Sequence, residues 1–197
     1  MGRLSKAYFM HGLPGSGKDL QLGKIQARLG GSDIVTIASV GDDLLDPEIA
    51  RRPRAYAAYR QEKVGGNLLP DFVVNAVVEE WFLKEPYPHH RGVSGSGRSV
   101  DQARFVHDLS LELGYTPVYL VIDFTEETGV ERVRLRGRAD DAEATYRKRC
   151  RSFYEYFPPV EEYLRSRTDL FHKVDGHGTP EEVFARIEPH LHNSVLA

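Results

Sequence analysis

Seven residues, Gly12-Leu13-Pro14-Gly15-Ser16-Gly17-Lys18, constrain this chain more than any other stretch of it. They form the G-x-x-x-x-G-K core of a phosphate-binding loop, and they stand in the right setting for one. A short apolar run, Ala7–Met10, reads as a strand leading into the loop. Leu22, Ile25 and Leu29 then recur at helical spacing, and Gly30-Gly31 marks the stop. Glycines let successive backbone N–H groups turn towards one anion, and the N-terminus of the following helix adds partial positive charge. Lys18 supplies a cation for the outer phosphates. Without that strand and helix, the same residues would be a glycine-rich turn carrying an exposed lysine. The next position departs from the full motif. Asp19-Leu20 stands where a Ser or Thr hydroxyl would reach Mg2+. A carboxylate there suits the helix dipole but repels phosphate unless a cation intervenes. Two readings stay open: Asp19 lies near Mg2+, directly or through water, or it only caps the helix and points away.

The rest of the chain alternates short apolar runs with helical periodicities, without repeats or low-complexity tracts. Ile34–Ile37 is β-branched and reads as a second strand. Pro70 opens a helix lined by Val73, Val77 and Trp81. Ser99, with Gln102 three residues on, reads as a capping box for a helix carrying Val100, Ala103, Val106 and Leu109 and stopped by Gly114. Val118–Ile122 is an apolar strand ending at Asp123. Helical sequence runs from Thr125 to about Arg136, from about Ala142 to Phe157 and from Val160 to Arg167, with Pro158-Pro159 expected to separate the last two. Phe171–Val174 reads as the final strand, and Thr179-Pro180-Glu181-Glu182 as a helix start. His89-His90 reads as an exposed loop, His190 and His192 as a frayed end, and His11 as packing beside the phosphate loop. Phe153, Tyr154, Tyr156 and Phe157 read as core and rim packing. Strands alternating with helices imply right-handed crossovers and a parallel sheet. The expected class is therefore α/β, a three-layer α/β/α sandwich with ligands beyond the carboxyl ends of its strands.

Composition narrows the function. At 197 residues the chain suits one domain. Lys and Arg total 26 against 29 Asp and Glu, a net charge of −3, which argues against a dedicated nucleic-acid binder. Hydrophobic residues at 41% suffice for one buried core. Cys150 is the only cysteine, so neither an intrachain disulfide nor a cysteine-based zinc site is possible. No apolar run is long enough to span a bilayer and no signal peptide is read at the start, so no membrane partner and a cytoplasmic location are expected.

A second cluster lies downstream: Arg132, Arg134, Arg136, Arg138, Arg147, Arg149 and Arg151. A run of this kind is either a solvated face paired with Glu131, Asp140, Asp141 and Glu143 or a phosphate site. Beside a phosphate loop the second reading is preferred, because phosphoryl transfer needs several fixed cations around the equatorial oxygens.

With both clusters in view, the chain resembles the adenylate kinases and related nucleoside monophosphate kinases over most of its length. The loop with Gln21 resembles GxPGSGKGTQ, Ser39-Val40-Gly41-Asp42 resembles STGD, and Gly66-Asn67-Leu68-Leu69-Pro70 resembles GQLVP. Arg98-Ser99-Val100-Asp101-Gln102-Ala103 resembles the end of DGFPRTxxQA. Gly137-Arg138-Ala139-Asp140-Asp141, with Thr145 and Arg149, resembles GRxDDxxxTxxxR. Val174-Asp175-Gly176-His177-Gly178-Thr179 resembles the late segment near the ATP base.

The resemblance implies a P-loop NTPase fold in a single kinase domain, 1–197, with a helical acceptor-binding insertion at about 40–83 and a very short lid at about 132–141. It implies ATP and Mg2+, nucleotide substrates and a monomer. Gly12, Pro14, Gly15, Ser16, Gly17, Lys18, Asp19, Leu20, Arg132 and Gly178 would bind ATP, Arg132 lying against adenine. Arg136, Arg138 and Arg149 would surround the transferring phosphates with Lys18, and Arg98 would hold the acceptor phosphate. Val40, Gly41, Leu68, Gly95 and Gln102 would line the acceptor site, Gln102 either bonding an adenine or merely completing its capping box. Three departures stand out. Asp19-Leu20 replaces Gly-Thr, Ser94 replaces the Asp of DGFPR, and Leu45 replaces an arginine that Arg51, Arg52, Arg54 or Arg60 could supply. Asp19 could compensate for the acid lost at Ser94. The expected reaction is transfer of the ATP γ-phosphate to a nucleoside monophosphate, AMP first. The alternatives are a kinase of another small metabolite and a nucleotide-binding homologue with weak or no catalysis.

Overall fold

A computed structural model describes residues 5–30, 34–37, 68–83, 89–136 and 143–191. Its centre is a five-stranded, wholly parallel sheet built from β1 (Lys6–Gly12), β2 (Ile34–Ile37), β3 (His90–Ser94), β4 (Thr116–Asp123) and β5 (Phe171–Asp175). The order across the sheet is β2-β3-β1-β4-β5, with Tyr8 opposite Gly92 and Met10 opposite Leu120. Six helices surround it among the described residues: α1 (Lys18–Leu29), α2 (Asp71–Leu83), α3 (Val100–Glu112), α4 (Glu126–Arg136), α5 (Glu143–Arg167) and α6 (Pro180–Ile187). The expected three-layer α/β/α sandwich is what the chain forms.

Strand alternation divides the core into two layers. On one face Ala7, Phe9, Tyr119 and Val121 pack against Val74 and Val78 of α2, Val106 of α3 and Val160 of α5. On the other, Tyr8, Met10, Leu120 and Ile122 meet Leu22 and Ile25 of α1, Val133 of α4 and Val183 of α6. Helix α5 belongs to both layers. Tyr146 and Cys150 in its first half pack on the second face, and Phe157, Val160 and Leu164 in its second half pack on the first. It therefore passes over the edge of the sandwich near the carboxyl ends of the strands.

The expected break at Pro158-Pro159 does not occur: one helix runs unbroken from Glu143 to Arg167. The prolines remove the N–H groups that would bond the carbonyls of Tyr154 and Glu155. Both of those residues are exposed, so water can serve the freed carbonyls. Burial of Phe157, Val160 and Leu164, at about 1.5–3 kcal/mol each, offsets what each proline costs.

A second correction concerns His89-His90. His89 is exposed, but His90 begins β3, and all of β3 is buried between β1 and β2. A central parallel strand normally reads as a continuous apolar run. Here His-Arg-Gly-Val-Ser serves because its large polar side chains find partners inside, although Arg91 Nε is left buried without one among the described residues. His90 Nδ1 accepts from the Lys6 backbone N–H at 3.1 Å. The Arg91 guanidinium donates to the Phe82 carbonyl at 2.9 Å, near the C-terminus of α2, and lies 4.9 Å from the Trp81 ring centre. The third correction is His190, which is not frayed: it sits in a 3-10 turn and stacks on His172 with ring centres 4.0 Å apart.

Expected helix ends hold. Gly30 caps α1 in the left-handed region, and Thr179 and Glu182 complete a capping box on α6. Helix α2 starts one residue after Pro70. Among the described residues no helix is long and apolar enough to cross a membrane. Of the acceptor-side insertion expected over 40–83 only residues from 68 on are described, and of the lid over 132–141 only those to 136.

Candidate functional site

The carboxyl ends of β1, β3, β4 and β5 lie side by side, and four loops leave from them. The loop after β1 is the seven-residue phosphate motif. Gly15 and Gly17 have φ of 76° and 80°, which side chains rarely tolerate. A Cβ at Gly12 would stand 2.5 Å from the Ile122 carbonyl of β4, so the loop leaves the sheet closer to its neighbour than any other residue allows. Gly17 is the N-cap of α1 and supplies no capping side chain, so the first-turn N–H groups of a 12-residue helix have no side-chain acceptor there. Lys18 Nζ folds over the loop and donates to the Gly12 and Leu13 carbonyls at 3.0 Å and to Ser16 Oγ at 3.1 Å. Asp19 and Leu20 are exposed in the first turn of α1, and Pro14 is half-buried at the loop's bend.

Among the described residues no three His, Cys, Asp or Glu side chains come together to hold a metal ion alone. Mg2+ in nucleotide sites takes only one or two carboxylates beside water and phosphate oxygens. The exposed Asp19 carboxylate, one residue from the loop lysine, is a donor of that kind, so the residues present fit the ion. Ser94 at the end of β3 is buried and offers only a hydroxyl.

The loop after β3 runs Gly95-Ser96-Gly97-Arg98, with Gly95 and Gly97 at φ of 88° and 68°. A Cβ on Gly97 would stand 3.0 Å from Cε1 of His11, so the ring of His11 fills the space beneath this loop. His11 is 6% exposed, packs against Phe157 with ring centres 5.5 Å apart, and leaves Nε2 buried without a hydrogen-bond partner. Burial first, then the Lys18 and Arg98 charges, push its pKa down to about 3. The ring is thus a neutral spacer between two cations, which bears out its reading as packing. The Arg98 guanidinium, half-buried, has no hydrogen-bond partner among the described residues.

Gln102 is 1% exposed. Its Oε1 accepts from the Arg98 backbone N–H at 3.0 Å, and its Nε2 donates to Asp71 Oδ1 at 2.7 Å. Ser99 Oγ accepts from the Gln102 N–H and donates to Asp71 Oδ2 at 2.7 Å. The expected capping box is therefore half formed. The Ser99 half is present, while the glutamine side chain bonds one residue earlier than a capping box requires. Asp71 was not singled out in the sequence: an acid in a helix's first turn is ordinary, and its partners lie about thirty positions downstream.

The arginine set divides. Arg132 donates to the Gly176 carbonyl at 2.7 Å and the Gly178 carbonyl at 3.2 Å, and its guanidinium lies 5.1 Å from the Phe124 ring centre. This ties α4 to the loop after β5. Arg134 bonds Glu143, and Arg147 bonds Glu143 at 3.0 Å and Glu126 at 2.8 Å, so both fasten α4 to α5. Hydrogen bonds from Arg134 and then Arg147 hold the Glu143 carboxyl below the usual carboxylate range. For these two the paired reading is right, although Glu126 was not foreseen. Arg149 is half-buried on α5, one turn beyond Tyr146, and Arg136 closes α4. Leu68 is 37% exposed just before α2. Arg138, Val40 and Gly41, with Leu45, Arg51, Arg52, Arg54 and Arg60, lie outside the described residues.

No family model matches the chain. Individual relatives do. An adenylate kinase from Mycobacterium tuberculosis is 31% identical over 177 residues, 89% of this chain and 93% of that protein. An adenylate kinase from Thermus thermophilus is 30% identical over 193 residues, 95% of this chain and 98% of that protein. Adenylate kinase isoenzyme 5 from Bos taurus is 29% identical over 188 residues, 92% of this chain, which spans 32% of that longer relative. Matching bacterial relatives from end to end at this identity, on a parallel sheet whose first strand ends in a glycine-rich phosphate loop, the chain belongs to the adenylate kinase (nucleoside monophosphate kinase) family.

Proposed function

We propose that this protein transfers the γ-phosphoryl group of ATP to a phosphate oxygen of a nucleoside monophosphate, AMP first among them, giving ADP and a nucleoside diphosphate. One observation carries the reading. The glycine loop with Lys18 and the Arg98 guanidinium, which has no hydrogen-bond partner among the described residues, stand at the ends of adjacent strands β1 and β3, so cations flank the place where two phosphate groups would meet. The acceptor oxygen is already anionic near neutral pH, so no general base is needed, and His11, held neutral, is not asked to be one. Positioning and charge stabilisation account for such a transfer.

In this reading Gly12, Pro14, Gly15, Ser16, Gly17 and Lys18 hold the ATP phosphates. Arg132, fixed between Phe124 and the Gly176 and Gly178 carbonyls, offers its other face to the base. Arg98 holds the acceptor phosphate, and Arg136, Arg138 and Arg149 close on the transferring group. Mg2+ accompanying the nucleotide would be held from the protein side by Asp19 and would neutralise charge on the outer phosphates. The protein acts as a monomer in the cytoplasm. A second reading, a kinase of another small acceptor, is favoured by one feature only, the hydroxyl of Ser94 at the end of β3.

An ADP-release assay with ATP and a panel of monophosphates tests this. At least one monophosphate should raise ADP release far above the ATP-only rate. Lys18→Ala should lower kcat by roughly a thousandfold. Stimulation only by non-nucleotide acceptors, or a near-normal rate in Lys18→Ala, overturns the proposal.

A further inference from the structure

We infer that Gln21 is a positioning residue for ATP: it fixes the span between the loop that takes the phosphates and the loop that takes the base. The inference rests on the ATP site read above and names a determinant of donor affinity outside the atoms that touch ATP. The two loops belong to different pieces of the fold. Lys18 ends the phosphate loop and opens α1, and Gln21 follows one turn later on the same helix. The base loop, residues 176–179, belongs with α6. Arg186 of that helix donates to the Asp175 carbonyl at 2.9 Å and to the His177 carbonyl at 2.7 Å. Thr179 and Glu182 close the capping box, and a Cβ added to Gly178 would fall on Glu182 Oε2. The base loop and the start of α6 therefore move as one unit.

Gln21 joins the two pieces. It is 2% exposed, and its Nε2 donates at 2.9 Å to the carbonyl of Pro180, the first residue of α6. Its Oε1 is buried with no hydrogen-bond partner among the described residues. A buried amide oxygen left in that state is costly, and a methionine would fill the same space without it. What the glutamine gains is the bond to Pro180. The proline offers only an oxygen there, so the amide has one orientation. Two other contacts join α1 to α6. Leu22 and Ile25 share a core layer with Val183 and Ile187, but apolar packing is non-directional and sets no register between named atoms. Lys24 reaches Glu181 at 2.8 Å, but this pair is exposed and screened by solvent. The buried amide bond is left to hold the span. A ligand that touches both loops gains from finding them already in register and must order them itself once the bond is lost. A ligand that touches one loop alone loses nothing.

The test uses the ADP-release assay on wild type, Gln21→Met and Lys24→Ala, with tripolyphosphate and adenosine as inhibitors competitive against ATP, so that each probe reports one loop. In Gln21→Met the KM for ATP should rise about 3- to 10-fold, the worth of one buried hydrogen bond, while kcat and the KM for the monophosphate stay within about twofold. The inhibition constants of tripolyphosphate and adenosine should also stay within about twofold, and Lys24→Ala should move none of these quantities by more than that. Two results overturn the inference. An unchanged KM for ATP means that packing alone sets the span, and a parallel loss for ATP and tripolyphosphate means that Gln21 only supports the phosphate loop. Should Gln21→Met fail to fold by circular dichroism, hydrogen exchange of the wild type decides. Tripolyphosphate alone should slow exchange of the amides at 176–184, and unchanged exchange there overturns the inference. Stimulation by no monophosphate sinks the phosphotransfer reading, and the same comparison made as Kd values by calorimetry still decides this one.

Discussion

Gly129 sits in the second turn of α4, and its replacement by alanine sets two effects of opposite sign against each other. Helix propensity alone favours alanine over glycine in a helix by about 1 kcal/mol. Packing opposes it. An added Cβ would land inside the Tyr146 hydroxyl, 2.7 Å from Tyr146 Cζ and 2.9 Å from Phe124 Cε2. Tyr146 is 2% exposed in the second core layer and Phe124 is 5% exposed, so neither ring can swing into open space. Overpacking of this kind costs about 1–3 kcal/mol, and three contacts under 3.0 Å put the site at or above the upper end. The net loss is about 2 kcal/mol, which for a chain of this length lowers Tm by about 4–8 °C. Thermal unfolding followed by circular dichroism reads it directly. Tyr146→Phe should cost the wild type about 1 kcal/mol, because it removes a 3.4 Å bond to the Glu126 carbonyl and a weak bond to the Cys150 thiol. In the Gly129→Ala background the same change should recover part of the loss, because Cζ still stands too close. A Gly129→Ala protein that melts at or above the wild-type temperature would show that propensity wins and that α4 is not pressed onto α5.

Two further outcomes follow from the site. Asp19→Ala should shift the Mg2+ concentration needed for half-maximal turnover upward by about tenfold; an unchanged Mg2+ titration would leave Asp19 as a helix cap only. His11 is ordinarily protonated below about 6.5 but is held neutral down to about 3 in the fold. The unfolded chain therefore binds the extra proton across that window, and stability is whole above pH 6.5 and falls with acidification by about 1.4 kcal/mol per pH unit from this group. His172 and His190, lowered by burial, and His107, lowered by burial and Arg167, add in the same direction. Urea unfolding at pH 7.5, 6.5 and 5.5 should show that slope in the wild type and a shallower one in His11→Leu; equal slopes would refute the assignment.

What the sequence disclosed were features whose physics is local. The glycine loop, the caps at Gly30 and Thr179, and the apolar runs of β1 and β4 all act within one turn or one strand, so their residue pattern is contiguous. What it concealed depended on partners far along the chain. Strand β3 looked polar because the groups that satisfy Arg91 belong to α2. The prolines of α5 looked like a break because the burial that outweighs them comes from layers the sequence does not order in space. Gln102 looked like either a cap or a base reader, and the partner its amide nitrogen takes in the fold, Asp71, carries no motif.

The arginines show why counting charge could not have located the site. Seven guanidinium groups in twenty residues suggest a single anion-binding surface. The structure gives those it describes different tasks according to what lies within bonding distance. Arg134 and Arg147 are neutralised by Glu143 and Glu126, and exposed pairs of that kind contribute little stability, about 0–1 kcal/mol each. Their effect is geometric: they bridge α4 and α5, the helices that carry Arg132 and Arg149. Arg132 is pinned by two carbonyls and a ring, which fixes its plane and leaves its charge unpaired with any carboxylate among the described residues. A guanidinium whose donors go to carbonyls keeps its full positive charge, whereas one paired with a carboxylate presents a dipole. By that criterion the groups able to attract a phosphate include Arg132, which is bonded to two backbone oxygens, and Arg98, whose guanidinium has no hydrogen-bond partner among the described residues.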